Sequence, residues 1–152
     1  MLKIISGGQT GADRAGLDVA IALGLEYGGS LPKGRMTEDG PLDLKYKSMT
    51  ELDIDSYSMR TEKNVKDSDV TLIFVDGPAG EGTVFTIELC KKLNKPYLLI
   101  NFTHDKDYIN MITGWIKTIK PGVLNIAGSR ESGAPGIYDK TYRVLYKALK
   151  ML

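Results

Sequence analysis

The sequence predicts a single α/β domain of the Rossmann-like type, in which a five-stranded parallel sheet lies between two layers of helices. Three observations support this prediction. Short apolar runs of strand length alternate with longer runs that carry apolar residues at helical spacing. The strand runs lead into glycine-rich turns that open helices. The most apolar run, residues 70–75, has the continuous hydrophobicity of a strand that is buried on both faces.

The first half of the chain begins with a strand over residues 2–6 and a glycine-rich turn over residues 6–14. A helical run over 15–24 and a glycine-interrupted strand over 26–30 follow. Residues 32–41 contain two prolines, two glycines and two basic residues, so they form a loop. This loop is long for a plain connection, and we expect it to be functional.

Residues 45–53 are weakly patterned and predict either a short edge strand or a turn. Residues 56–66 predict a helix, with Asp55 as the candidate N-cap. The rest of the chain alternates regularly, with strands over 70–76, 96–101 and 122–127, helices over 84–93 and 137–151, and a helix within residues 105–120. We favour the strand order 2-1-3-4-5 in one sheet, within one domain that covers residues 1–152.

The composition excludes several classes of protein. Hydrophobic residues make up 42% and charged residues 26%, as in ordinary soluble domains. A net charge of +1 implies no general cationic surface, so nucleic acid is an unlikely partner. No apolar run is long enough to span a bilayer, and no signal peptide is evident, so we expect a cytoplasmic protein without a membrane partner. The single cysteine, Cys90, excludes an intrachain disulfide.

Two glycine-rich turns predict the site. The first has the sequence Ser-Gly-Gly-Gln-Thr-Gly-Ala-Asp-Arg over residues 6–14, and the second is Gly-Pro-Ala-Gly-Glu-Gly-Thr over residues 77–83. Helix N-termini attract anions, phosphate above all, through their backbone N–H groups and dipoles. Neither turn matches a Rossmann fingerprint or a Walker loop, so each alone is also compatible with a plain tight connection. At the carboxyl ends of parallel strands, however, both would flank one crevice. We expect a phosphate between them.

Polar residues on these turns and nearby segments are candidates for binding such a ligand. We expect Arg35 to cover the ligand from the long loop. Arg60 and Asn64 are four residues apart and share a helix face, which could bind an anion or be merely solvated. The lone His104 has no metal-binding partners, and we assign no catalytic or metal-ligating residue. The candidate ligand-binding residues are Gly7, Gly8, Gln9, Thr10, Arg14, Lys33, Arg35, Arg60, Asn64, Gly80, Gly82, Thr83, Ser129 and Arg130.

The sequence resembles the molybdenum cofactor carrier family. The motifs that carry the resemblance span nearly the whole chain in the family's order: residues 6–14, Pro-Lys-Gly-Arg at 32–35, Glu-Asp-Gly-Pro at 38–41, Arg-Thr-x-x-Asn-Val-x-Asp-Ser-Asp at 60–69, Gly82-Thr83 with Glu88, and Leu-Asn-Ile-Ala-Gly-x-Arg-Glu-Ser at 124–132. The resemblance implies a Rossmann-like domain of the SLOG superfamily. It also implies a binder and carrier of the molybdenum cofactor that forms a homo-oligomer, a dimer or tetramer.

The chemistry of that ligand is compatible with the candidate residues. The cofactor has a terminal phosphate, a pterin and an oxygen-rich metal head, which suit backbone amides, arginines, lysines and side-chain amides. The sequence offers no Cys or His cluster, so the metal would be recognised through hydrogen bonds to its oxo groups. Assembly is also suggested, weakly, by Trp115 and the eight tyrosines, because such residues fill cores as well as interfaces.

Other functions occur among SLOG relatives, including nucleoside monophosphate phosphoribohydrolases of the Lonely Guy type, sensors of nucleotide-derived ligands and DNA-processing proteins. The hydrolases use Pro-Gly-Gly-x-Gly-Thr-x-x-Glu, and Thr86 stands here where the catalytic acid would be. Glu88 lies two residues further on, and at about 100° per residue it projects from nearly the opposite side of the helix. Single-stranded DNA binding would need a basic groove. We therefore expect a binding protein rather than an enzyme.

Overall fold

The computed structural model describes residues 2–152 and shows the predicted alternation of strands and helices. Within these residues the helices are α1 (Ala12–Ala22), α2 (Tyr57–Asp67), α3 (Glu81–Lys92), α4 (Tyr108–Ile119) and α5 (Ile137–Lys150). The strands of the main sheet are β1 (Lys3–Ser6), β2 (Glu26–Gly28), β7 (Val70–Val75), β8 (Tyr97–Asn101) and β9 (Val123–Gly128). Two-residue strands lie between them: β3 (Ser30–Leu31), β4 (Met36–Thr37), β5 (Gly40–Pro41) and β6 (Thr50–Glu51).

The main sheet has five strands, and all of their pairings are parallel, as the sequence predicts. Helices α1, α4 and α5 pack together on one face, whereas α2 and α3 pack together on the other. The larger part of the core lies under the first group, where Ile4, Leu72 and Leu145 are fully buried. The three-layer Rossmann-like prediction is therefore confirmed. Among residues 2–152, no helix combines the length and the apolar character needed to cross a membrane.

The predicted order of the strands is wrong. The observed order is β2-β1-β9-β7-β8, so the last strand of the chain lies in the middle of the sheet instead of at its edge. Hydrophobic patterning reports that a strand is buried but not which strands are its neighbours. The side chain of Asn125 on β9 donates to Thr71 Oγ1 on β7 at 3.3 Å, which is a polar contact between two central strands. When β9, β1, β2, β7 and β8 are renumbered 1 to 5, the order across the sheet becomes 3-2-1-4-5. This is the order of the first five strands in dinucleotide-binding folds.

The second predicted strand, residues 26–30, is divided at Gly29. This residue has a φ of +127°, and a Cβ there would lie 2.0 Å from the Ser6 carbonyl oxygen, so only glycine fits. The chain then leaves the main sheet, and β3 pairs with β6 in a separate two-stranded sheet. Both alternatives for residues 45–53 are present, because a turn at residues 47–48 precedes the short strand Thr50–Glu51.

Three helix starts differ from the predictions. Ser56, not Asp55, caps α2, because its side chain accepts a hydrogen bond from the Met59 N–H at 3.2 Å. Helices α1 and α3 each begin three residues earlier than predicted. Each carries an acidic residue in its first turn, Asp13 in α1 and Glu81 in α3, which the helix dipole favours. The ends of both glycine-rich segments are therefore helical.

Candidate functional site

A cavity of about 620 Å³ lies at the carboxyl ends of the central strands. It is bounded by the first turn, by α2, by residues 78–86 at the start of α3, and by residues 125–130 at the end of β9. The chain proceeds from β1 to β2 at one edge of the sheet and from β7 to β8 at the other edge, and β9 lies between β1 and β7. Ligands of open α/β sheets bind at such a switch point, and the volume suits a nucleotide-sized molecule.

The N-terminus of α3 opens into this cavity. Gly80, Glu81, Gly82 and Thr83 line it. Within residues 2–152, the N–H groups of Glu81, Gly82 and Thr83 have no acceptor, since the first bond of the helix runs from the Val84 N–H to the Gly80 carbonyl. No side chain caps the helix. Three free donors at the positive end of a helix can donate hydrogen bonds to the oxygens of an anion, which is the chemistry that we predicted for this turn.

The first turn differs from the prediction that its amides also hold the phosphate. Among residues 8–12 of this turn, four N–H groups already donate within the protein. The Gln9 N–H donates to Asp13 Oδ2 at 3.3 Å, which places a carboxylate of the protein where a ligand anion was expected. The other three donations run from Gly8 to Ser6 Oγ, from Thr10 to Gln9 Oε1 and from Ala12 to the Ser129 carbonyl. The first turn therefore presents the side chains of Gln9 and Asp13 to the cavity.

The Gln9 amide is held in one orientation. Its Oε1 accepts hydrogen bonds from the N–H groups of Thr10, at 3.1 Å, and Glu38, at 2.8 Å. The residue is only 6% exposed, and its Nε2 has no hydrogen-bond partner among residues 2–152. An unpaired buried donor costs about 1–3 kcal/mol, so a ligand that brought an acceptor to this part of the cavity lining would remove that cost.

Arg60 and Asp13 form a buried ion pair beside Gln9. Arg60 Nη1 lies 3.5 Å from Asp13 Oδ2 and donates to the Gly7 carbonyl at 2.6 Å. Burial raises the pKa of Asp13 to about 6, although Arg60 opposes this shift. Burial likewise lowers the pKa of Arg60, with Asp13 opposing it. Desolvation thus outweighs the mutual attraction of both partners, which marks the pair as a candidate functional element.

Gly7 is required for this arrangement. A Cβ at this position would lie 2.1 Å from Arg60 Nη1, so any larger residue would displace the guanidinium. The glycine predicted to let a ligand approach the backbone therefore lets Arg60 approach it instead.

Tyr57 provides an aromatic wall that the sequence analysis missed. The Arg60 guanidinium lies 5.3 Å and the Arg130 guanidinium 5.8 Å from the centroid of the Tyr57 ring. Tyr57, Arg60 and Arg130 all line the cavity. Tyr57 precedes Arg60 by three residues on α2, a spacing that shares a helix face and could have revealed it. An aromatic ring with two cations near it suits a planar, electron-rich heterocycle.

The structure brings nine of the fourteen predicted residues to the cavity lining: Gly7, Gln9, Arg60, Asn64, Gly80, Gly82, Thr83, Ser129 and Arg130. Asn64 has a structural contact as well, because its side chain both accepts from the Ser30 N–H at 2.8 Å and donates to the Ser30 carbonyl at 3.2 Å. The lining does not include Gly8, Thr10, Arg14, Lys33 or Arg35.

Arg35 does not cover the cavity as predicted. Its guanidinium donates to the backbone carbonyls of Leu42, Asp43 and Tyr46 at 3.1–3.2 Å, so it stabilises its own loop. Lys33, on the same loop, is exposed.

The long loop instead docks on the first turn. The Glu38 carboxylate accepts hydrogen bonds from the Thr10 hydroxyl and from the Ser132 hydroxyl and N–H. Arg14 binds the Asp39 carboxylate at 3.0 Å. Arg14 and Thr10 thereby hold the loop, whose Glu38 N–H in turn orients Gln9.

The hydrolase alternative has no acid at its expected place. The Thr86 hydroxyl is committed to the Gly82 carbonyl at 3.0 Å, and Glu88 is exposed and outside the cavity lining. In the part of the chain that the structure describes, no group of His, Cys, Asp or Glu side chains is arranged to hold a metal ion. The chemistry of the cavity is hydrogen-bond donation from a helix terminus, two arginines and one oriented amide.

Comparisons with known proteins give one family model and one solved structure that the chain resembles. A family model described as the circularly permutated YpsA SLOG family matches residues 4–149, which include every residue that lines the cavity. Among solved structures, the chain is similar to the "Putative molybdenum carrier protein" of Syntrophus aciditrophicus SB. The two share 43% sequence identity over 97% of this chain and 94% of that one, with a TM-score of 0.93. No curated protein matches the sequence.

Proposed function

Because this chain belongs to the circularly permutated YpsA SLOG family, we propose that it binds and carries a small phosphorylated heterocycle in the cavity at the end of its central strands. The molybdenum cofactor is the cargo that we propose first, since the name of the similar solved structure points to a molybdenum carrier. The resemblance of the sequence motifs points to the same ligand.

The observation that carries this proposal is the set of three unbonded amides at the α3 N-terminus, which open into the same cavity as Arg60 and Arg130. The phosphate would bind these amides, with the Thr83 hydroxyl beside them. The ring system would lie against Tyr57, near the guanidinium groups of Arg60 and Arg130. This placement separates the two chemical parts of the ligand along the cavity.

The donors of the cavity fit the molybdenum cofactor. Its phosphate suits the helix terminus, its pterin suits the Tyr57 ring, and its oxygen-rich metal head needs hydrogen-bond donors of the kind that Arg60 supplies. Hydrogen bonds to charged groups contribute about 1.5–3 kcal/mol each. We also propose that the protein works as a homo-oligomer, either a dimer or a tetramer.

Two measurements test the proposed function. Mass spectrometry of small molecules released from the purified protein identifies the natural cargo. Calorimetry with inosine 5′-monophosphate as a stand-in tests the cavity: Arg130→Ala should weaken binding roughly ten-fold, because about 1.4 kcal/mol corresponds to that factor. Arg143→Ala, a matched change at an exposed arginine of α5 outside this cavity, should leave the affinity unchanged.

Equal affinities for wild type and Arg130→Ala would contradict the proposed site. Steady release of free base from the nucleotide, lost on Glu88→Ala, would support the phosphoribohydrolase alternative instead. The absence of an acid at Thr86 leads us to expect no such release.

A further inference from the structure

We infer that Gln9 is a specificity-determining residue that selects heterocycles with a lactam edge, in which a keto oxygen stands next to a ring N–H. A ring that presents an amino group at the same place would be rejected. This inference rests on the proposed function, because it assumes that the heterocycle of the ligand reaches the wall formed by Gln9 and Asp13.

The first step of the argument is the direction of the Gln9 amide. Two backbone N–H groups, from Thr10 and Glu38, point at one end of it, so that end must be the oxygen. With the amide reversed, the side-chain NH₂ would face two donors and both hydrogen bonds would be lost. The other end is therefore the NH₂ group of a residue that lines the cavity, and this group can donate but cannot accept.

The second step is that this NH₂ group lacks a partner. It is buried, and no acceptor among residues 2–152 lies within hydrogen-bond distance. A site built around a buried donor discriminates strongly between ligands, because the wrong ligand leaves that donor unpaired. The ligand atom opposite Gln9 is thus expected to be an acceptor such as a keto or oxo oxygen.

The third step is the neighbouring acceptor. Asp13 also lines the cavity, and its Oδ2 accepts the Gln9 N–H, so the carboxylate adjoins the Gln9 residue. Both side chains line the same cavity, and a donor from Gln9 together with an acceptor from Asp13 is complementary to a keto oxygen next to a ring N–H. An aminopyrimidine edge, with an amino donor next to a bare ring nitrogen, would be mismatched at both positions.

Inosine and adenosine 5′-monophosphates are the probes, because they share the sugar, the phosphate and the purine frame and differ at this edge. We expect wild-type protein to bind the inosine nucleotide at least ten-fold more tightly by calorimetry. Gln9→Glu keeps an oxygen for the Thr10 and Glu38 N–H groups but replaces the NH₂ with an acceptor. The preference should then be lost or reversed. Asn94→Asp, which adds the same charge at an exposed position beyond the C-terminal end of α3, should leave the preference unchanged.

The outcomes separate the inference from the proposed function. A wild type that binds both nucleotides equally well, or a Gln9→Glu variant with the wild-type preference, would overturn the inference alone. If neither nucleotide binds to the wild type, the proposed function fails, and the inference fails with it. If circular dichroism shows that Gln9→Glu does not fold, Gln9→Met must abolish the preference, and a preference that survives in that variant would also overturn the inference.

Discussion

Asp13 and Arg60 carry opposite charges 3.5 Å apart, yet burial disfavours the charged form of each. A buried ion pair of this kind is weak evidence for stability, since desolvation can exceed the attraction between the charges. The pair lies on the cavity wall, and the absence of a Cβ at Gly7 leaves room for the Arg60 guanidinium. We interpret the pair as part of the binding site, maintained at a cost to the folded state.

The raised pKa of Asp13 predicts a pH-dependent stability difference between wild type and Asp13→Asn. The pKa is about 6 in the folded state against 3.8 for the free side chain. The neutral carboxyl is therefore favoured by folding, and its stabilising contribution is complete below pH 4 and is lost as the pH rises through 6. At 1.36 kcal/mol per unit, wild type should lose roughly 3 kcal/mol relative to Asp13→Asn between pH 4 and pH 7.

Urea denaturation of both proteins at several pH values in that interval measures this difference. Asp105→Asn, at an exposed loop position, is the matched control and should show no comparable change with pH. A constant stability difference between wild type and Asp13→Asn across the interval would contradict the prediction.

Side-chain chemistry was predictable from the sequence where it depends on local position. The place of Thr83 in the cavity lining was predictable because it belongs to a glycine-rich turn that opens a helix. The place of Arg60 was predictable because it shares a helix face with Asn64. Arg35 was misplaced because its partners, three backbone carbonyls at residues 42–46, become its neighbours only when the long loop folds back on itself. The orientation of Gln9 likewise depends on Glu38, which lies 29 residues further along the chain.

The glycines at the start of α3 have a different role from Gly7. A Cβ at Gly80 or Gly82 would meet no atom within 4 Å, and neither residue has a positive φ. Folding therefore does not require glycine at these positions. What glycine provides is open space over the unbonded amides, which a ligand anion can occupy.

Gly82→Ala should consequently separate folding from binding. Alanine is favoured over glycine inside a helix by about 1 kcal/mol, so the thermal midpoint should stay equal or rise. The affinity for inosine 5′-monophosphate should fall several-fold, because the new methyl group crowds the anion. Gly114→Ala is the matched control: it lies inside α4, a Cβ there also meets no atom within 4 Å, and it does not line the cavity.

Gly114→Ala should give the same stabilisation without a change in affinity. Calorimetry and thermal denaturation of the two variants, side by side, provide the measurement. A Gly82→Ala protein with wild-type affinity would mean that the phosphate does not lie on the first turn of α3.

The early starts of α1 and α3 show what local pattern misses. Glycines led us to assign the segments up to Arg14 and Thr83 to turns, because glycine is unfavourable in helices. At a helix N-terminus, an acidic residue in the first turn and the direction in which the chain leaves the buried strand offset the cost of a glycine. Both segments are therefore helical at their ends.

Oligomerisation is a prediction for the molecule as a whole. Leu44, Ile54 and Met59 are 76%, 50% and 45% exposed, so apolar surface is available for association. Trp115, in contrast, packs against the main core. Multi-angle light scattering at micromolar concentration should give two or four times the mass of one chain. A monomer mass at that concentration would refute the prediction.

The fold class could be predicted from the sequence, but the position of β9 could not. Alternating buried strands and helices determine the layers, whereas the lateral order depends on which strands meet after the chain has crossed the sheet several times. The order 3-2-1-4-5, counted from β9, agrees with the description of the family as circularly permutated. Asn125, a polar residue in an otherwise apolar strand, was the available hint, since a buried amide needs a polar neighbour such as Thr71.

The central place of β9 also bears on synthesis of the protein at the ribosome. Roughly 120 residues separate β1 from β9, and translation at about 5–20 residues per second needs on the order of ten seconds to cover them. Until β9 emerges, the β1–β2 pair and the β7–β8 pair each have an open inner edge with nothing between them. The nascent chain thus exposes two unpaired apolar edges, so we expect it to need protection from aggregation during translation.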